Sequence, residues 1–302
     1  PTAPSNGQSA TVAVVQGNTP GRGLDFNAAR RVILENHVEV TRQLAADVEA
    51  GRVERPDMVV WPENSSDINP YANPDAHAAI SAAVAEIGAP TLVGTLVPTE
   101  DEQNVRNTSV VWDPEQGPGE TYVKRHPMPF GEYIPFRDIA ARIAPDAVAR
   151  QPRDFVAGQE VGVMDLAGVP VGAVICFEVA FDNLVRDTVR DGAQLLAVQT
   201  NNAGFGYSPM SEQQLAMSRL RSVEHGRTTL VAALAGISAV IDPDGTVRDR
   251  TELYTQDVLV ADVDLSEHRT VATTVGEWPE WLLTLGALAA VAVAIWLPRR
   301  RR

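Results

Sequence analysis

Cysteine occurs once in the 302 residues, at position 176, so no disulfide can form within the chain and a cysteine-stapled scaffold is excluded. Histidine is nearly as scarce. His37, His77, His126, His225 and His268 show no HxxxH or CxxC spacing, which gives no basis for a zinc or iron site. Positive charge is short as well, with 25 Lys and Arg against 39 Asp and Glu. The net charge is −14, and the four arginines that end the chain make the rest of it more acidic still. A body of that sign repels nucleic acid, and no basic stripe with interleaved aromatics is present, so nucleic acid is not expected as a partner. No repeat of 20–50 residues recurs, which argues against a solenoid.

What is present suits one large folded core: 44% apolar and 21% charged residues. The chain starts at Pro1 without a methionine and reads as a piece or a processed form of a longer product. Residues 1–8, PTAPSNGQ, read as a linker ahead of a domain expected over 9–270. ATVAVVQGN predicts a buried strand. Asp25 or Asn27 then caps a helix through about Glu49, and MVVWPE is a short strand ending at Glu63. A helix over about 74–88 precedes the strands TLVGTLVP, RNTSVVWDP and ETYVKRHPM. Residues 161–176 predict a hairpin turning at Ala167-Gly168, whose second arm ends on Cys176 and runs into the helix FDNLVRDTVRDG. AQLLAVQTN, TTLVAALAG, ISAVIDPDGTV and DVLVADVDL supply further strands, and SEQQLAMSRLRSVEHGR an amphipathic helix. Alternating elements with several directly paired strands predict an α/β layered sandwich, and runs such as QLLAVQT suit a sheet buried on both faces.

Residues 281–297, WLLTLGALAAVAVAIWL, hold no charge and are followed by Pro298 and four arginines. At 1.5 Å per residue they span roughly 25 Å, enough to cross a bilayer when tryptophans anchor the ends. A transmembrane helix over 281–297 with a cytoplasmic basic tail, 298–302, is the expectation, and the positive-inside rule then puts the globular body outside the cytoplasm.

Three residues stand where chemistry is built. Cys176 ends the apolar strand GAVIC as the chain turns toward a helix, where unpaired N–H groups would favour a thiolate and an oxyanion. On that segment alone an inert buried cysteine is the commoner outcome. Glu63 also ends an apolar strand, where a carboxylate has no packing reason to be and could serve as a base for a thiol. Lys124 leads into a loop stiffened by Pro127, Pro129 and Pro135 and could stabilise developing negative charge. His126 offers the alternative of a Cys-His pair, although no cysteine-protease signature surrounds Cys176.

Taken together, WPE at 61–63, the lysine of YVKRHPMPFGEY and the cysteine of VICFE resemble the Glu-Lys-Cys triad of the nitrilase, or carbon-nitrogen hydrolase, superfamily, over about residues 10–265. The resemblance implies a four-layer αββα sandwich. Within the superfamily the chain is most similar to the apolipoprotein N-acyltransferase family, through PFGEYIP, Phe177-Glu178 after the cysteine, LRSVEHGR, GISAVIDPDG and the terminal apolar helix. It implies Glu63 as general base, Lys124 as cationic partner, Cys176 as nucleophile, Glu132 as a second active-site carboxylate, and Phe177 and Glu178 as supporting positions. Residues 201–206, Asn-Asn-Ala-Gly-Phe-Gly, depart from the family's Asn-Asp-Ala-Trp-Phe-Gly-like stretch by lacking the acidic residue and the tryptophan.

The implied reaction moves a fatty acyl chain from a phospholipid onto Cys176, then onto the α-amine of a diacylglyceryl-cysteine in an apolipoprotein. No metal or organic cofactor enters it. The implied location is a bacterial inner membrane with the catalytic domain outside the cytoplasm, and apolar loops, including residues 201–210, are expected to keep water from the thioester. The alternatives are a membrane-tethered amidohydrolase, with water in place of the amine, and a catalytically inactive binding domain.

Overall fold

The computed structural model describes residues 7–20, 26–149 and 151–296. The expected cap Asp25, residues 1–6 of the expected linker, Leu297 and the basic tail at 298–302 lie outside the described residues. The first half of the chain holds β1 (Ser9–Gln16), α1 (Phe26–Glu49), β2 (Met58–Val60), α2 (Pro74–Ile87), β3 (Thr91–Pro98), β4 (Val105–Asp113) and β5 (Gly117–Val123). Two short helices, α3 (Arg137–Ile143) and α4 (Pro145–Ala149), lead to β6 (Val163–Leu166), β7 (Val169–Ile175) and α5 (Asp182–Arg190). Then come β8 (Leu195–Thr200), α6 (Met210–His225), β9 (Thr229–Ala233), β10 (Ala239–Ile241), β11 (Val247–Arg250), β12 (Asp257–Asp264), α7 (Val271–Val275) and α8 (Trp278–Trp296).

The strands form two mixed six-stranded sheets, ordered β12-β1-β2-β3-β4-β5 and β11-β10-β9-β8-β7-β6. Strand alternation divides the apolar residues between two interfaces. Val12 and Val14 of β1, Met58 and Val60 of β2, and Ala173 and Ile175 of β7 face inward to a core between the sheets. Ala13, Val15, Val59 and Trp61 face outward to α1 and α2, while Val174, Leu196 and Val198 face α5 and α6. Helix, sheet, sheet, helix is the resulting order, the αββα sandwich. Strands buried on both faces explain why the sequence shows continuous apolar runs instead of alternation. β12 returns from the second half to pair antiparallel with all of β1, from Ser9 opposite Asp264 to Gln16 opposite Asp257.

Three expectations are corrected. α1 opens at Phe26, so Asn27 lies inside it and does not cap it. β2 stops at Val60, since Pro62 has no N–H for the ladder, and Glu63 stands in the turn beyond. β7 stops at Ile175, one residue short of Cys176, and the helix expected at FDNLVRDTVRDG does not adjoin the cysteine: one 3₁₀ turn, Cys176–Ala180, precedes α5, which starts at Asp182.

α8 stands apart from the sandwich. It has no buried residue and is the one described helix long and apolar enough to cross a membrane. Its 19 residues extend about 28 Å.

Candidate active site

Glu63, Lys124, Glu132 and Cys176 line one cavity of about 670 Å³ at the ends of β2, β5 and β7. Glu63 is held there by a close approach of β3. A side chain at Gly94 would come within 2.3 Å of the Pro62 carbonyl and 2.8 Å of the Glu63 Cα, so only glycine fits. The Gly94 carbonyl in turn accepts hydrogen bonds from the Ser65 hydroxyl and the Ser66 N–H, both at 3.0 Å. Lys124 is clamped along its backbone: its N–H donates to the Asn107 carbonyl at 2.9 Å and its own carbonyl accepts from Gly158 at 2.8 Å.

The Lys124 ammonium bridges two carboxylates. Its Nζ lies 3.2 Å from Glu63 Oε1 and 2.9 Å from Glu132 Oε2, with the lysine side chain only 2% exposed. Asn107 Nδ2 also donates to both, at 2.6 Å to Glu63 and 2.9 Å to Glu132. Glu63 Oε2 accepts from the Asn201 N–H at 2.8 Å, and Glu132 Oε2 accepts from the Met128 N–H at 2.6 Å as well as from the lysine. Burial works against the Lys124 charge, yet Glu63, Cys176 and Glu132 together hold its ammonium above the ordinary lysine range. Such a lysine is a fixed cation, fit to stabilise a developing oxyanion and unfit to act as a base.

Cys176 has a φ of 53°, the left-handed region that an L-residue enters at a cost of roughly 1–2 kcal/mol. That kink turns β7 sharply into the 3₁₀ turn and presents the thiol to the cavity. Burial first, then the Glu63 carboxylate, push the thiol up to about 11, against the pull of Lys124, Thr200 and Gln214. At neutral pH the resting group is therefore a neutral thiol that needs a base. Its sulfur lies 3.3 Å from Thr200 Oγ1 and 3.7 Å from Gln214 Nε2.

Glu178 sits outside the cavity lining and is fully buried. Its carboxylate accepts from the Ile175 N–H at 2.8 Å, the Arg125 N–H at 2.6 Å, the His126 N–H at 3.1 Å and the Tyr122 hydroxyl at 3.0 Å. It thus ties the residue before Cys176 to the residue after Lys124. Phe177 is also absent from the lining; its ring packs edge-on against Phe181 at 5.3 Å. His126 stacks on that same Phe181 at 4.5 Å, and the sulfur's neighbours are Thr200 and Gln214, so the Cys-His alternative has no geometric support.

Asn107, Thr200 and Gln214 escaped the sequence reading as site residues, and Asn201 entered it only as part of the 201–206 loop. The available signal was polar residues inside apolar strands, Asn107 in RNTSVVW and Gln199-Thr200 at the end of LLAVQT. Gln199 cross-links the sheets beneath the site, donating to the Trp61 carbonyl at 2.6 Å and accepting from Ser109. In the departing loop, Gly204 lines the cavity, and a side chain there would meet nothing within 4 Å. Met128, which lines the cavity, is exposed, as are Phe130, Phe136, Ile139 and Ile143 farther along the same segment, and α3 buries none of its residues.

The carbon-nitrogen hydrolase family profile matches residues 11–273. The chain belongs to the carbon-nitrogen hydrolase family. It is 46% identical, over 94% of its length, to the apolipoprotein N-acyltransferase of Mycolicibacterium smegmatis, and 29% identical, over 96%, to that of Photobacterium profundum. It covers 48% and 55% of those two proteins, so the chain spans about half the length of the curated relatives it matches. Among solved structures it is similar in fold to an amidase from Nesterenkonia sp. AN1, with a TM-score of 0.61 at 19% identity, over 87% of this chain and 93% of that one. That amidase, in a mutant form, carries the acetamide moiety of fluoroacetamide on its active-site cysteine. The hydrolase-family fold and the cysteine-bearing cavity therefore coincide in this chain.

Proposed function

We propose that this chain is the catalytic domain of an apolipoprotein N-acyltransferase, with Cys176 as nucleophile, Glu63 as general base and Lys124 as electrostatic partner. The observation that carries the reading is the Glu63-Lys124-Glu132 ion bridge lining the same cavity as the partly buried Cys176 thiol. Glu63 takes the thiol proton, sulfur attacks the ester carbonyl of a phospholipid, and the oxyanion forms beside the Lys124 ammonium. The lysophospholipid alcohol leaves with the proton from Glu63. The α-amine of a diacylglyceryl-cysteine then attacks the thioester, and the sulfur regains a proton as the amide forms.

Two features favour a lipid substrate. Met128, an exposed apolar residue, lines the cavity, the same segment carries exposed Phe130, Phe136 and Ile139, and the domain continues into the apolar helix α8. Trp278 and Trp281, at the helix end next to the domain, are both well exposed, as residues that meet a bilayer interface are. In this reading α8 spans a bacterial inner membrane, the tail at 298–302 is cytoplasmic, and the site lies outside the cytoplasm. Glu132 positions Lys124, and Glu178 positions the strand ends that carry Lys124 and Cys176.

The test is transfer itself. The full-length gene product, given phospholipid and a synthetic diacylglyceryl-cysteine peptide, should yield a peptide heavier by one acyl chain in an amide bond. Hydrolysis of small amides with no acylated peptide would transfer the assignment to the tethered amidohydrolase.

A further inference from the structure

Three carboxylates line the catalytic cavity: Glu63, Glu132 and Asp67. The first two are spent on Lys124, Asn107 and backbone N–H groups. Asp67 differs. Its Oδ1 is shut off from solvent and has no hydrogen-bond partner among the described residues. Buried polar atoms in native proteins are almost always satisfied, so an orphan oxygen in the wall of a reaction cavity points to a group that arrives with the substrate.

The surrounding backbone is built to hold it. Asn64, directly after the candidate base, has a φ of 59°, and this left-handed residue turns the chain back so that Asp67 also faces the cavity. The Asn64 side chain accepts from Asn201 Nδ2 at 3.0 Å, while the Asn201 N–H donates to Glu63 at 2.8 Å. Asn201 thus joins the turn that carries Asp67 to the base.

An acceptor-only oxygen repels phosphate and carboxylate and receives a donor, most strongly a cationic one. Resting on the acyl-transfer reading above, we propose that Asp67 is the acceptor subsite, binding the primary ammonium of the incoming amine beside the Cys176 thioester. Burial, with the Glu63 charge adding to it and Arg30 and Asn64 opposing, pushes the Asp67 carboxyl up to about 6, nearer to an α-amine than an ordinary aspartate stands. The bound ammonium gives up one proton to water in the cavity. The amine forms the C–N bond as the C–S bond breaks, and its second proton goes by way of Glu63 to the sulfur.

The experiment compares two acceptors on the pre-formed acyl-enzyme of the full-length protein. One is a diacylglyceryl-cysteine peptide, cationic at its amine; the other is hydroxylamine, neutral at pH 7. In Asp67→Asn, transfer to the peptide should fall about 10- to 100-fold relative to transfer to hydroxylamine, the loss of one charge-assisted contact, with most of the change in KM for the peptide. Asp67→Glu should restore part of it. Equal effects on both acceptors, or none on the peptide, would overturn the subsite while leaving the acyl-transfer reading intact. Failure of the unsubstituted enzyme to form any thioester would remove both.

Discussion

Glu178 and Arg125, far apart in the chain, meet through a 2.6 Å hydrogen bond from the Arg125 N–H to the Glu178 carboxylate. The same carboxylate accepts from Ile175, the residue before Cys176, at 2.8 Å. One buried anion therefore sets the spacing between two strand ends that come from different sheets. Burial holds the Glu178 carboxyl above its ordinary range, with the Ile175 and His126 N–H groups, Lys124 and Tyr122 pulling the other way. Glu178→Ala leaves these donors unsatisfied and should lower stability by about 2–4 kcal/mol, read by urea unfolding, and abolish thioester formation. Glu178→Gln, which keeps one acceptor, should fall between.

Removing the Lys124 charge should be more damaging to chemistry than to shape. Lys124→Met leaves Glu63 and Glu132 facing each other with no cation between them, and breaking a buried ion pair from one side costs about 3–5 kcal/mol. The expected result is a folded but destabilised protein with thioester formation slowed at least about a hundredfold, measured by rapid-quench mass spectrometry. A near-normal rate would show that the ammonium takes no part in stabilising the oxyanion.

Gly94→Ala tests the backbone that places Glu63. The added methyl would sit 2.3 Å from the Pro62 carbonyl, so strand β3 and the turn carrying Glu63 must separate. Activity should fall steeply while circular dichroism keeps its α/β signature, since the contact lies at a strand end.

The pH dependence of stability has a definite sign on each side. His37 is fully satisfied as a neutral ring, Nδ1 donating to the Ile33 carbonyl at 2.7 Å and Nε2 accepting from the Gly17 N–H at 3.2 Å. Burial lowers it to about 4, so the unfolded chain binds a proton that the folded one refuses, and stability is lost as pH falls from 6.5 through 4. Cys176 acts in the opposite range: its thiol is raised from 9.0 to about 11, so stability is lost as pH rises through that window. Unfolding free energies between pH 3 and 11 should show both limbs, and His37→Gln should make the acid limb shallower.

Much of this was legible in the sequence, and the gaps have physical causes. Each strand buried on both faces leaves a continuous apolar run, so β1, β7 and β8 were plain. Glu63 and Cys176 were visible as candidate site residues just past such runs. The 3₁₀ turn at Cys176–Ala180 was not, because its left-handed first residue is imposed by the fold and no glycine or asparagine marks it. Gln214 and Thr200 reach the sulfur from a helix and a strand of the same half, a juxtaposition that no local pattern encodes. The helices α3 and α4, which bury little, left no amphipathic signal to read.

The most direct measurement is the intact mass of the full-length protein after incubation with phospholipid and no acceptor. A thioester on Cys176 should appear as a single acyl adduct that hydroxylamine removes and that Cys176→Ala does not form. An adduct that persists in Cys176→Ala, or no adduct in a preparation that acylates peptide, would contradict a cysteine-borne acyl intermediate.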